Sequence, residues 1–294
     1  MSSLSSQGPV RLKAPAKINL LLRITGKRPD NFHELVTLFH PVSALCDTLE
    51  VDLEARPGIS ISCNAPGVPA DSSNLAVRAA AAFAGKRGIS PSWHITLEKA
   101  IPVAAGMGGG SSDAGTLLKF LNERFPGLSP EEMNLLACQA GADVPFFLNP
   151  SDATARGVGE KLIPAGVLPM PPMLAVFPAF PVSAAWAYRH LQKMTPPAQA
   201  EEELFLLIEA LKRKEFRKAA SLCANDLEGA LFAKFPLLSI LKKELEEQSA
   251  LCVHISGSGP TLFAMFESEE DKKKASSALA KNEYTESGIK IMEL

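Results

Sequence analysis

The sequence has few of the features that announce export, a metal centre or a nucleic-acid partner. Its five cysteines, Cys46, Cys63, Cys138, Cys223 and Cys252, are odd in number and widely spaced, with no C-x-x-C pair. That pattern excludes a disulfide framework and a thiolate metal site, and buried free thiols are expected instead. The five histidines show no H-x-x-x-H spacing, so no dedicated metal ligand is assigned. No stretch approaches the roughly 18 apolar residues of a membrane span, and the opening "MSSLSSQGPVRLKAP" lacks the apolar segment of a signal peptide. Neither sign of charge dominates: the net charge is −2 and the pI about 6.3, which leaves no electrostatic footprint for nucleic acid or an acidic membrane surface. The expectation is a cytoplasmic protein, monomer or homodimer, whose partner is a small molecule rather than nucleic acid or membrane.

What is present is the material of a globular core. The chain has 294 residues, 46% hydrophobic and 21% charged, enough for two ordinary domains. "VRLKAPAKINLLLRITGKRP" predicts strands joined near Pro15, and "DTLEVDLEA" with "GISISCN" predicts a further strand pair. "NLAVRAAAAFAGKRG" predicts a helix after the capping serines of "DSSN", stopping at a glycine. "SWHITLEK" alternates with Trp93, Ile95 and Leu97 on one face, the pattern of a half-buried strand. Ala114, Leu117, Leu118, Leu121 and Phe125 form a helical stripe. "SPEE" announces another helix, with Ser129 as cap, Pro130 in the first turn and Glu132 completing a capping box.

Six prolines in "IPAGVLPMPPMLAVFPAFPV" disfavour helix and central strand alike. They mark a seam between domains at 1–163 and 164–294, followed by a strand, "MLAVF". Helices are expected around "EEELFLLIEALKRK", "FRKAASLCANDLEGAL" and "LLSILKKELEEQ". Strands "ALCVHIS" and "TLFAMF", a charged helix and a short last strand close the chain. Strands interleaved with helices, some of them hairpin-like, give an α+β class in two domains.

In the stretch "IPVAAGMGGGSSDAG" four glycines and two serines, Gly106 to Ser112, sit between an apolar strand-like segment and a helix-like one, with no lysine or arginine. A Walker A loop needs Gly-Lys-[Ser/Thr], and no lysine follows Gly110; a dinucleotide fingerprint fails because Ser111 stands at its third glycine. Two readings remain open. The loop is a backbone nest for an anion, with glycines at φ > 0 turning N–H groups inward and a helix N-terminus adding positive potential. Alternatively it is a loose turn before a helix that starts near Ser111. Ser111 and Ser112 can cap that helix or present a hydroxyl to phosphate.

"PVAAGMGGGSSDA" resembles the second motif of the GHMP small-molecule kinases, "APAKINL" their first and "ISGSGPTLFAMF" their third. "AKINLLLRITGKRPDNFHEL", "GADVPFFL", "ARGVGE" and "NDLE" resemble one branch of that family, which phosphorylates a cytidine-diphosphate-linked methylerythritol in non-mevalonate isoprenoid synthesis. The resemblance implies a two-domain α+β kinase fold with its active site in the cleft between domains, and ATP with Mg2+ as cofactors. It implies nucleotide binding by Pro102, Val103, Ala104, Ala105, Gly106, Met107, Gly108, Gly109, Gly110, Ser111 and Ser112. By the same resemblance Lys17 is the cation and Asp143 the general base, and Asn19, Phe32, His33 and Tyr188 bind the substrate. "NDLE" is read as helix-packing architecture. The branch often has tyrosine where this chain has Phe32, and a threonine where it has Ala184, so two hydroxyls are missing. A sibling kinase for homoserine or mevalonate would keep the glycine loop but lack the aromatic–His pair. A non-catalytic nucleotide-binding relative would have lost Lys17 or Asp143.

Overall fold

The computed structural model describes residues 8–281 and 288–294, and the chain divides into two compact units. The first comprises Met1–Ala16, Ser43–Val103 and Gly108–Pro150; the second comprises Lys17–Val42, Ala104–Met107 and Ser151–Leu294. Two long strands, β1 (Val10–Lys27) and β2 (His33–Asp52), pass from one unit to the other along their length.

In the first unit, β3 (Gly58–Cys63) is followed by helix α1 (Leu75–Arg87), β4 (Ser92–Glu98), α2 (Gly109–Arg124), α3 (Pro130–Ala140) and a short 3-10 turn, Val144–Leu148. Strand β1 does not break at Pro15. In the first unit's order β3-β4-β2-β1 it is the last strand, where a missing N–H on the outer edge costs the ladder nothing. The expected pairing of "DTLEVD" with "GISISC" is also corrected. Strand β4 lies between them, antiparallel to β2 (Thr48 opposite Glu98) and parallel to β3 (Ile61 opposite Ile95). Placing β4 in the middle buries Trp93, Ile95 and Leu97, the most apolar alternating face of the three strands.

The cap of α1 is Asn74 rather than the serines before it. Asn74 Oδ1 accepts from the Ala76 amide at 2.9 Å, and Gly88 closes α1 at φ 64°. Ser129 and Glu132 form the expected capping box of α3. The stripe Ala114, Leu117, Leu118 and Leu121 packs with Phe83, Trp93, Leu136 and Ala137 into one core. A Cβ at Gly115 would stand 2.6 Å from the Phe147 Cβ and 2.9 Å from the Val144 carbonyl. Only glycine lets α2 lie this close to the 3-10 turn.

The second unit adds β5 (Ala153–Arg156), β6 (Lys161–Pro164), β7 (Met173–Phe177), α4 (Ala184–Arg189), α5 (Pro197–Lys212), α6 (Phe216–Leu222), β8 (Ala224–Asn225), α7 (Glu228–Lys234), α8 (Pro236–Glu247), β9 (Cys252–Ile255), β10 (Leu262–Met265), α9 (Glu269–Lys281) and β11 (Lys290–Glu293). Strands β11, β7, β10 and β9 form an antiparallel sheet in that order. Leu174, Val176, Val253, Ile255, Leu262 and Ala264 pack there against Leu238, Leu241 and Leu245 of α8. The segment "FRKAASLCANDLEGAL" is two helices rather than one. It is interrupted at β8, where Leu21 and Leu22 of β1 pair in parallel with Ala224 and Asn225. None of the five cysteines is in a disulfide, but only Cys223 is buried; the other four are half-buried. Among the described residues no helix is long and apolar enough to cross a membrane.

Candidate active site

Within the second unit, period-2 alternation puts Lys17 and Asn19 on one face of β1, and both are almost fully buried, at 4% and 3% exposure. A buried ammonium is costly unless its protons are satisfied. Lys17 Nζ donates to Asn19 Oδ1 at 2.6 Å and to the Gly106 carbonyl at 3.2 Å, and lies 5.1 Å from the centroid of the Phe39 ring. Asn19 is itself pinned: its Nδ2 donates to Thr37 Oγ1 at 2.9 Å and its backbone amide to Ser256 Oγ at 3.3 Å. Ser256 Oγ in turn donates to the Gly106 carbonyl at 3.1 Å. Gly106 has φ 79°, and a Cβ there would overlap the Ser256 carbonyl oxygen and lie 2.8 Å from the Gly259 amide. Lys17 is therefore a fixed, desolvated cation, not a lysine trailing over a strand edge.

Also in the second unit, the imidazole of His33 stacks on Tyr188, with ring centroids 5.5 Å apart and planes 27° apart. Burial, with Lys27 nearby, holds the His33 pKa below the usual imidazole range, so the ring is neutral at pH 7 and has one donor and one acceptor nitrogen. Phe32 precedes it in a turn closed by the Arg28 amide on the Phe32 carbonyl at 2.8 Å, and its ring is 60% exposed. Ala184 opens α4 under the cap of Ser183, whose Oγ accepts from the Trp186 amide at 3.3 Å.

The glycine stretch Pro102–Ser112 runs through both units. Ala105 and Met107 are buried anchors, and Val103 is 45% exposed. Helix α2 begins earlier than the sequence suggests, at Gly109, with Gly108 as its cap residue at φ 71° and no side-chain cap. Ser111 and Ser112 thus sit inside the first turn rather than capping it. A cap residue in the left-handed region is open to glycine at no steric cost. It leaves the first amides of α2 without intrahelical partners at its positive end.

Ser112 Oγ is fully buried and has no hydrogen-bond partner in the structure. A Cβ at Gly141 would stand 4.0 Å from Ser111 Oγ, so the Gly141–Asp143 turn lies beside the α2 N-terminus within the first unit. Asp143 is half-buried, at φ −86° and ψ −12°, and its side chain does not cap the 3-10 turn that follows.

A cluster the sequence reading missed lies behind this loop. Lys99 Nζ bonds Asp47 Oδ2, and reaches Asp113 Oδ2 at 2.9 Å; the three side chains are 6%, 0% and 4% exposed. Asp47 Oδ1 also accepts from the Ala100 and Ile101 amides at 2.7 and 2.8 Å. Burial raises the Asp113 pKa to about 7; Lys99 opposes the shift and Asp47 adds to it. Burial works against the charge on Lys99, but Asp113 and Asp47 outweigh it and hold its pKa above the usual value. Asp113 stands in the quoted loop and Lys99 at the end of a recognisable strand, but no local signature shows that they meet.

The folded state therefore binds the Asp113 proton more tightly than the unfolded chain does. That contribution to stability is greatest at low pH and is lost as pH rises from about 4 to about 7. Asp113→Asn should flatten this dependence, so the stability of wild type relative to the variant falls across that window by on the order of a few kcal/mol. Thermal or urea unfolding of both proteins at several pH values measures it, and parallel curves would refute it.

Residues 74–150 match the GHMP kinases N terminal domain and residues 207–285 the GHMP kinases C terminal domain. The chain belongs to the GHMP kinases. It is 38% identical over 286 residues to a Geobacter sulfurreducens protein named 4-diphosphocytidyl-2-C-methyl-D-erythritol kinase, covering 96% of this chain and 98% of that one. A Gloeobacter violaceus protein of the same name is 41% identical over 87% of this chain and 85% of its own. A crystal structure of 4-(cytidine 5'-diphospho)-2C-methyl-D-erythritol kinase matches with a TM-score of 0.74 at 36% identity, covering 92% of this chain and 95% of that one. Within the GHMP kinases, the chain is a member of this 4-diphosphocytidyl-2-C-methyl-D-erythritol kinase family. A homoserine kinase from Cytophaga hutchinsonii superposes with a TM-score of 0.75 at only 19% identity, over 100% of this chain and 96% of its own. The fold is thus shared by kinases of different substrates and does not select among them.

Proposed function

We propose that this protein transfers the γ-phosphate of ATP to the 2-hydroxyl of 4-diphosphocytidyl-2-C-methyl-D-erythritol, in isoprenoid precursor synthesis. The observation that carries the reading is the full-length identity of 38% to a protein of that name. It is supported by a buried Lys17 held at a fixed position and by the glycine-capped N-terminus of α2.

Phosphoryl transfer asks mainly for alignment and charge stabilisation, with a carboxylate to take the proton of the attacking hydroxyl. Asp143 is assigned that proton. Lys17 is assigned the electrostatic support of the developing alkoxide. The first amides of α2 and the backbone from Gly106 to Ser112 are assigned the polyphosphate, which a loop without its own cation can bind through N–H groups and dipole. Magnesium, when bound, neutralises charge on the transferring phosphate. Among the described residues no three acidic, histidine or cysteine side chains form a metal cage, a donor set that suits an ion carried mostly on phosphate and water oxygens. Phe32, His33 and Tyr188 are assigned the cytosine. The free thiols suit a reducing compartment, in line with action in the cytoplasm.

The deciding assay offers ATP with the cytidine-diphosphate substrate, mevalonate or homoserine. Phosphorylation of the first is expected, and a preference for either of the others would overturn the reading. The cradle makes a separate prediction. Gly108→Val places a β-branched side chain at φ 71° and should raise KM for ATP by about tenfold or more, and more than KM for the alcohol. With a thermal melt showing the fold intact, an unchanged KM for ATP would return the stretch to a simple turn.

A further inference from the structure

The stretch Asn225–Glu228, "NDLE" in the sequence, directs its hydrogen bonds at one backbone segment. Asn225 is 6% exposed. Its Nδ2 donates to the carbonyls of Ile255 and Gly257, both at 2.7 Å, and its Oδ1 accepts from the Leu227 amide at 2.9 Å. Glu228 Oε1 accepts from the Ile255 amide at 2.7 Å and from His254 Nδ1 at 3.0 Å. Peptide groups on both sides of Ser256 are thus fixed by two side chains of one short motif. Asparagine suits the place because one amide nitrogen supplies two donors to two carbonyls. Aspartate would set oxygen against oxygen, and alanine would leave two buried carbonyls without these donors.

The opposite side of the same segment faces Lys17. The turn after β9 closes through the Gly259 amide on the Ser256 carbonyl and the Ser256 amide on the Thr261 carbonyl, each at 2.9 Å. Gly257 has φ 55°, and a Cβ on it would stand 3.0 Å from the Gly106 carbonyl, 3.1 Å from Asn19 Oδ1 and 3.4 Å from Lys17 Nζ. The Gly257 backbone leaves no room for a side chain beside the ammonium and in that sense forms its wall. Ser256 holds Asn19 and Gly106 from the same turn. All of these groups belong to the second unit.

We propose that Asn225 is a positioning residue for phosphoryl transfer, fixing the Gly257 wall and through it the place of the Lys17 ammonium. The proposal rests on the reading of Lys17 as acting at the reacting hydroxyl. Reactions of this kind are sensitive to displacements of about 1 Å, each costing up to about 100-fold in rate, so a small retreat of the wall is enough to be seen.

The test uses Asn225→Ala, Gly257→Ala, which crowds the same wall directly, and the double variant. Asn225→Ala should lower kcat by about 10- to 100-fold and leave KM for ATP and for the alcohol within about threefold. Amide hydrogen exchange should rise at residues 256–261 and stay unchanged along α2. Because both changes act on one wall, the double variant should be no slower than the slower single variant within about threefold. Asn225→Ser carries the same comparison if the alanine variant does not fold. A folded variant with unchanged kcat, losses that multiply in the double variant, or unchanged exchange at 256–261 would each overturn the proposal. Lys17→Met separates the two readings: if it keeps kcat, the assignment of Lys17 fails, while the exchange result still judges the clamp.

Discussion

Asp143→Asn is expected to lower kcat by about 10²–10⁴ while KM for ATP and for the alcohol stays within a few-fold. This is the range of a lost general base, or about 3–5 kcal/mol of barrier. Asparagine keeps the shape of the side chain and removes only its capacity to accept a proton. Asp143 is half-buried and does not cap the turn it precedes, and the turn is held instead by Val144 and Phe147 against Gly115 of α2. A thermal melt of the variant must accompany the kinetics, so that loss of the fold is told apart from loss of the base. If a well-folded variant retains near wild-type kcat, Asp143 has no part in proton transfer, and another group must take the proton. Equal loss in kcat and kcat/KM is the pattern of an interaction made only in the transition state, and the predicted constancy of KM is that pattern.

The residues that were readable in the sequence are those whose role is local. Gly88 and the Ser129–Glu132 box announce helix ends because caps bond within a few residues of themselves. The alternation of Trp93, Ile95 and Leu97 announces a strand because its period is two. What could not be read depends on partners far along the chain. Pro15 sits inside a continuous strand because β1 ends the first unit's strand order there, β8 pairing it only at Leu21 and Leu22, a fact of sheet order and not of composition. Strand β4 inserts between β2 and β3 although β3 follows β2 in sequence. The compact units exchange the chain inside β1 and β2, where no change of composition marks the passage. The buried cluster of Asp47, Lys99 and Asp113 joins residues 52 and 14 positions apart, and Asn225 grips carbonyls 30 and 32 positions away. The motif resemblance pointed to Lys17. Only the structure shows why that lysine is rigid, since Asn19, Gly106 and the Ser256–Gly259 turn meet there from distant segments.

Replacing cytosine by uracil in the substrate should cost at least about two orders of magnitude in kcat/KM. A flat base can stack on an exposed ring such as Phe32 whatever its edge carries, with stacking worth about 1–3 kcal/mol. The hydrogen-bonding edge is less forgiving. Cytosine presents an amino donor where uracil presents a carbonyl acceptor, and a site arranged for one leaves groups opposed or unpaired with the other. His33 is suited to such a reading because it is neutral at pH 7, with its pKa held down by burial and by Lys27. Its plane is set by the stack on Tyr188 at 5.5 Å. Phe32→Ala should weaken the cytidine and uridine substrates alike, because it removes only stacking. His33→Ala should narrow the gap between them, and Tyr188→Ala should narrow it less, by freeing the ring to turn. Steady-state kinetics with both substrates against wild type and the three variants measures all of this. A uridine substrate turned over as well as the cytidine one would show that these rings do not read the base edge. The kinase assignment would stand on its other evidence, and the recognition site would have to be sought elsewhere in the second unit.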